Sequence, residues 1–302
     1  MTNLIRFDWA IKKILRDKAN FGILEGFLSE LLNQSIKILS ILDSESNKET
    51  NDDKFNRVDL LAELESKELV VIEVQNTEEL DYLHRILYGT SKTISENMKK
   101  GESYSNVKKI ISISIVYFEL GEGIDYVYHG TTNFLGIHNY DQLKLSEKQA
   151  NLFKISEPNQ VFPEYYLLKV ESFDDETKDG LDEWIYFLKN EEIKDNFKAK
   201  GLVEAKDKLD VMKLSPNEQA IYNRYIENLH YKASMLETET FLLNEKIKKA
   251  TEKAKIEAKI EAKIEAKKEN SFEIAKNLKD RGFDLKIISE VTGLSTEEIE
   301  EL

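Results

Sequence analysis

Arg57-Val58-Asp59-Leu60-Leu61-Ala62-Glu63-Leu64, then Glu65-Ser66-Lys67-Glu68, then Leu69-Val70-Val71-Ile72-Glu73-Val74-Gln75, is the stretch that decides how the chain reads. Two short apolar runs joined by four polar residues make a hairpin pattern. The second run is apolar on both faces, which suits a central strand. With side chains alternating along a strand, Leu69, Val71, Glu73 and Gln75 share one face, and Val70, Ile72 and Val74 the other. Glu73 thus follows two apolar residues on its own face, where burying a carboxylate is costly unless something pairs with it. Asp59, between Val58 and Leu60, is the same anomaly in the partner run. A hairpin of this length brings both side chains toward one end of the sheet, where a divalent ion could bridge them. An E-x-Q pattern taken alone reads more readily as two solvated residues on a half-exposed strand.

Upstream, residues 4–42 read as helical. Ile11, Ile14 and Leu15, then Ile23, Leu24, Phe27, Leu28, Leu31 and Leu32, keep the spacing of one buried face. Gly22 and Gly26 would let a neighbour approach closely, and Asp43 to Lys54 reads as an exposed polar loop. Downstream, Tyr82 to Met98 reads as a helix with Leu83, Ile86, Leu87 and Ile94 inside. Val107 to Phe118 reads as a third strand. Val127, Tyr128, Phe134 and Tyr165 to Val170 suggest further strands, and Ser146 to Ala150 a turn. From Asp179 to about Glu269 the pattern is helical, with Trp184, Phe187, Leu188, Ile193 and Phe197 as a core face. Ser215-Pro216 has the order of a helix cap and first turn.

Residues 255–267 repeat Lys-Ile-Glu-Ala. A period of four outruns the 3.6 residues of a helical turn, so the isoleucine stripe spirals and like charges stack one turn apart. A solvated helical spacer follows more naturally than a coiled coil. Ser271 to Leu302 reads as a compact helical module with Ser295 and Glu298 as a capping box. Its acidic balance favours a protein contact over a DNA reader.

The chain has 302 residues, 33% of them charged, a formal charge of −14, no cysteine and four histidines. Without Cys there is neither a disulfide nor a thiolate site, which suits a reducing compartment. Any metal would be a hard cation on carboxylates, Mg or Mn. The N-terminus lacks the apolar stretch of a signal peptide, and Ile110 to Phe118 is too short to span a bilayer, so a cytoplasmic protein without membrane contact is expected. The acidic balance opposes a nucleic-acid partner unless metal ions and a local basic patch offset it, and it predicts weak, salt-sensitive binding. No Gly-rich phosphate loop is present, and the histidines (84, 129, 138 and 230) have no metal-ligand spacing.

The chain resembles the Rpn-type recombination-promoting nucleases, also described as transposases of the PD-(D/E)XK nuclease superfamily. The resemblance rests on Arg57-Val58-Asp59-Leu60, on Ile72-Glu73-Val74-Gln75, and on Arg85 and Tyr88 in the helix that follows. It continues in Gly101-Glu102-Ser103-Tyr104 ahead of Lys109-Ile110-Ile111-Ser112-Ile113, and in Asp8 to Leu15, with Ile11 where the family has Phe. It covers about residues 7–118.

The resemblance implies an α/β fold, a PD-(D/E)XK restriction-endonuclease-like core with a mixed central sheet flanked by helices, followed by a mostly α-helical C-terminal region. It also implies Mg-dependent hydrolysis of DNA phosphodiesters. Asp59, Glu73 and Gln75 would be the catalytic residues, with Asp59, Glu73 and the Val74 carbonyl as metal ligands. Gln75 stands where the wider superfamily has lysine, and it can only hydrogen-bond. Arg85 and Lys12 are the candidate DNA contacts, although Asp8 and Lys12, one turn apart, read first as a solvated charge pair. Tyr88 and Tyr104 read as core rather than base-stacking residues. The expected division is 1–175 nuclease-like, 176–245 helical, 246–270 charged helix or linker, and 271–302 a small module, with a homo-oligomer formed through the C-terminal helices. The alternative is a catalytically degenerate domain serving as a binding scaffold. Strand transfer, which the transposase description suggests, has no support in the residues.

Overall fold

The computed structural model describes residues 4–13, 15–42 and 58–302. Arg57, Ile14 and the polar stretch 43–54, all used in the sequence reading, lie outside these residues. The hairpin forms as β2 (Leu60–Leu64) and β3 (Leu69–Gln75), with Lys67 in the left-handed conformation at its turn. β3 is followed by α3 (Tyr82–Glu96) and then by β4 (Ile110–Val116), which runs parallel to it. With β1 (Ile38–Leu42), β5 (Val127–Gly130) and β6 (Glu164–Lys169) these make a six-stranded sheet in the order β1-β2-β3-β4-β6-β5. The pairs β1–β2, β2–β3 and β5–β6 are antiparallel, and β3–β4 and β4–β6 parallel. All seven residues of β4 are buried, including Ser112 and Ser114, as expected of a strand covered on both faces.

Around the sheet lie α1 (Phe7–Lys13), α2 (Phe21–Leu31), α4 (Glu147–Phe153), α5 (Gly180–Asn190) and α6 (Leu202–Lys208). Phe7, Phe27, Trp184 and Phe187 meet edge-on or tilted, with centroids 5.4–6.4 Å apart, and tie α1 and α2 to α5. Gly26 allows a closer approach than any other residue would: a Cβ there would run into the Lys200 carbonyl and the Gly201 Cα. That carbonyl also accepts from the Trp184 indole at 3.0 Å. Leu4, Ile5 and Arg6 close on residues far along the chain. Leu4 bridges Asp210, the Ile5 amide donates to the Leu209 carbonyl at 2.7 Å, and the Arg6 amide donates to the Tyr222 hydroxyl at 3.1 Å.

The chain separates into two compact units, Met1–Tyr222 and Asn223–Leu302. The long helix α7 (Pro216–Asp280) begins at the expected Ser215-Pro216 cap, and the Lys-Ile-Glu-Ala repeats lie in it with Ile256, Ile260 and Ile264 exposed. In the second unit, α8 (Leu285–Thr292) and α9 (Thr296–Glu300) fold back so that Ala275, Ile288, Leu294 and Ile299 form a small core. The Ser295–Glu298 capping box is present. No helix among the described residues is long and apolar enough to cross a membrane.

Four local expectations need correction. Residues 38–42 are not helical but form edge strand β1, paired antiparallel with β2. Ser146 to Ala150 opens α4 through a Ser146–Gln149 capping box, whose reciprocal hydrogen bonds favour helix over a simple turn. Phe134 belongs to no strand; only an isolated Leu135–Gln142 bridge forms nearby. In α3 the buried face is Tyr82, Ile86, Thr90 and Thr93, while Leu83 and Leu87 are 57% and 58% exposed. The helix is rotated so that Tyr82 and Ile86 pack on Val116. We expect Gly26→Ala to lower stability by about 1–3 kcal/mol, because α2 must move off the 200–201 backbone. Urea unfolding measures it, and an unchanged midpoint would show that the segment yields freely.

Candidate active site

The β2–β3 register pairs Leu60 with Ile72 and Leu61 with Val71. One residue further out, the same register sets Asp59 opposite Glu73 at the C-terminal end of β3. The Asp59 Oδ2 accepts from the Val74 amide at 2.7 Å, which clamps the carboxylate onto the neighbouring strand. Its Oδ1 pairs with Lys12 Nζ at 2.9 Å, and Arg16 donates to the Asp59 carbonyl at 2.9 Å. The side chains of Asp59 and Glu73 are only 12% and 13% exposed.

Glu73 pairs with Arg85 of α3. Burial holds its carboxyl above the usual range; Arg85 opposes that, and Asp59 and Glu79 add to it. Arg85 is shared, since its other nitrogen donates to both oxygens of Glu79 at 2.7 and 2.9 Å. Burial works to lower the guanidinium's pKa, but Glu73 and Glu79 outweigh it and the net shift is upward. Gln75 joins the same group through Nε2, which donates to Glu79 at 2.7 Å and to the Thr77 carbonyl at 3.1 Å. Tyr82 lies beneath. Burial raises its phenol, and the Glu73 charge raises it further.

Lys12, Asp59, Glu73, Val74, Gln75 and Arg85 therefore meet at one end of the sheet. The expected Asp8–Lys12 surface pair does not form. Asp8 is 3% exposed and accepts from the Trp9 amide, Arg6 and Asn76, so Lys12, one turn on, is left to Asp59. Arg6 in turn reaches Glu191 and Asn76, which locks the start of α1 to the residue after Gln75. Glu79 escaped the sequence reading; its one signal is the acidic pair Glu78-Glu79 just ahead of α3. Tyr88 and Tyr104 are corrected from core to surface, at 55% and 88% exposed.

Among the described residues, no group of three or more His, Cys, Asp or Glu is placed to hold a metal ion. Two carboxylates with a neighbouring main-chain carbonyl nevertheless suit magnesium, which keeps several waters and relies on one or two carboxylates plus substrate phosphate. The donor set is all oxygen, as a hard cation requires.

A mixed sheet with helices on its faces and two acidic residues facing each other across adjacent strand ends is the fold of the PD-(D/E)XK nucleases. Residues 5–239 match the family described as PD-(D/E)XK nuclease family transposase, and the chain belongs to it. Neither the curated proteins nor the solved structures yield a match. Asp59→Ala should lower stability by about 1–3 kcal/mol, because it strands the Val74 amide beside a buried strand. Asp59→Asn keeps an acceptor and should cost less, so equal losses in urea unfolding would contradict the clamp.

Proposed function

We propose that the chain is a Mg-dependent endonuclease that hydrolyses DNA phosphodiesters with Asp59, Glu73 and Gln75. The observation carrying this reading is the Asp59–Glu73 juxtaposition across β2 and β3, both side chains largely withdrawn from water. Asp59, Glu73 and the Val74 carbonyl are the residues that would hold Mg (or Mn). An ion bound there supplies a Lewis acid for the phosphate and lowers the pKa of an attacking water. Gln75, fixed by Glu79, orients that water through a hydrogen bond rather than a charge. Arg85 keeps Nη1 on both oxygens of Glu79 when Nη2 leaves Glu73, so that nitrogen stays placed to meet a non-bridging phosphate oxygen. Lys12 does the same from α1, turning from Asp59 to the phosphate. We assign the C-terminal helices to homo-oligomer formation and, because the chain has no cysteine, place the protein in the cytoplasm.

A second reading has an observation of its own. Lys12 and Arg85 already neutralise Asp59 and Glu73, as in a degenerate domain that serves as a scaffold and needs no metal. Strand transfer ranks below both, since no residue supports it beyond the family description.

Asp59→Asn and Glu73→Gln should each reduce plasmid nicking in Mg to background while the proteins stay folded by circular dichroism. Nicking at the wild-type rate in both would remove these residues from the mechanism. Titration calorimetry separates the two readings: no heat at millimolar Mg or Mn favours the scaffold. Arg85→Ala removes a competing cation, so it should tighten Mg binding to the free protein severalfold while slowing nicking. Weaker Mg binding in that variant would contradict the competition.

A further inference from the structure

At the opposite end of β3, where Glu68 leads into Leu69, a cleft of about 1220 Å³ opens between the hairpin turn, the segment after α3 and the C-terminus of α4. It lies about 16 Å from Glu73, counting five residues of strand at about 3.3 Å each. Five lysines line it, Lys67, Lys99, Lys108, Lys109 and Lys154. Only two acidic residues, Glu68 and Glu102, do so. On a chain of net charge −14 this is a marked reversal of sign.

Internal pairing does not use up the positive charge. Lys108 is held by Glu63, and Lys109 by Glu164. Lys67, Lys99 and Lys154 are exposed, and among the described residues no carboxylate pairs with their ammonium groups. Lys67 (φ 73°) and Lys154 (φ 58°) occupy left-handed positions that glycine fills most readily, so turn geometry alone does not account for lysine at either. On the same wall Tyr104 is 88% exposed, and among the described residues its side chain makes no ring contact or hydrogen bond.

From these observations we infer that the cleft is a second nucleic-acid site, which anchors a single-stranded polynucleotide with its phosphates on Lys67, Lys99 and Lys154 and a base stacked on Tyr104. Unpaired lysines beside a free aromatic ring make a sequence-tolerant strand platform. A duplex, whose base faces are covered, would leave Tyr104 unused. Contacts of lysine to phosphate position a strand without carrying sequence information, so the site holds a strand without reading it. The inference rests on the proposed polynucleotide substrate only for its biological sense. The binding itself needs neither Asp59 nor a metal.

The test is fluorescence anisotropy of labelled oligo-dT and oligo-rU with the full-length chain in EDTA, across a salt series. Duplex DNA and unlabelled polyglutamate serve as competitors. Reversing Lys67, Lys99 and Lys154 to Glu should weaken single-strand binding at least tenfold and reduce the salt slope by about 2, at about 0.7 per phosphate contact. Tyr104→Ala should weaken binding about tenfold with the salt slope unchanged. Comparing the two oligomers decides between DNA and RNA as the natural strand. The proposal is overturned by wild-type affinity in the lysine variant or in Tyr104→Ala, by no binding to the unmodified chain, or by polyglutamate displacing the strand more effectively than duplex. The last result would make the cleft a protein-docking site. Asp59→Asn should bind the oligomers normally. Lost nicking with intact binding therefore refutes nothing here, and intact nicking with unaltered binding in the lysine variant refutes the cleft alone.

Discussion

Two carboxylates held out of water at one end of a sheet repel each other and lose hydration, so they persist only with positive charge at hand. That requirement organises the first unit. Asp59 takes Lys12 from α1 and the Val74 amide from β3; Glu73 takes Arg85 from α3. Each cation is then fixed by a further layer. Glu79 grips Arg85, while the Arg6–Asp8–Asn76 hydrogen bonds seat α1 so that Lys12 points to Asp59. The aromatic packing of Phe7 against Phe27, Trp184 and Phe187 anchors α1 from its other side.

Much of this was legible in residue order because it is local. The hairpin shows in its alternation, β3 as a central strand in its unbroken apolar run, and the displaced acids at 59 and 73 in their apolar neighbours. The core face of α5 showed equally well, since Trp184, Phe187 and Leu188 keep helical spacing and are all buried. What failed was what depends on partners distant in sequence. Asp8 and Lys12 have the spacing of an ion pair, but Asn76, 68 positions away, claims Asp8. Leu83 and Leu87 share a plausible apolar stripe with Ile86, yet packing on Val116 selects a different rotation of α3. Residues 38–42 become a strand because β2 offers a free edge, a fact absent from their own pattern.

The lysine-lined cleft had no linear signature at all. Its walls come from the hairpin turn, the segment after α3 and the region around α4, so the sign reversal exists only once the chain has folded. The lysines gather only in space and were not visible as a run of charge. Tyr104 was misjudged for a related reason. An aromatic in a short turn between glycine and a strand can point either way, and this ring lies in solvent.

The closure of Leu4 and Ile5 onto residues 209–210 has a bearing on synthesis. Long-range contacts form late because loop closure precedes any reward from them. A chain still on the ribosome with fewer than about 210 residues emerged can pair β2 with β3 and seat α1 on Asn76, but the clasp of Leu4 and Ile5 onto residues 209–210 is still open. The groups that pair with Asp59 and Glu73 all lie before residue 86, so a chain cut short of residue 209 keeps those partners and lacks the clasp.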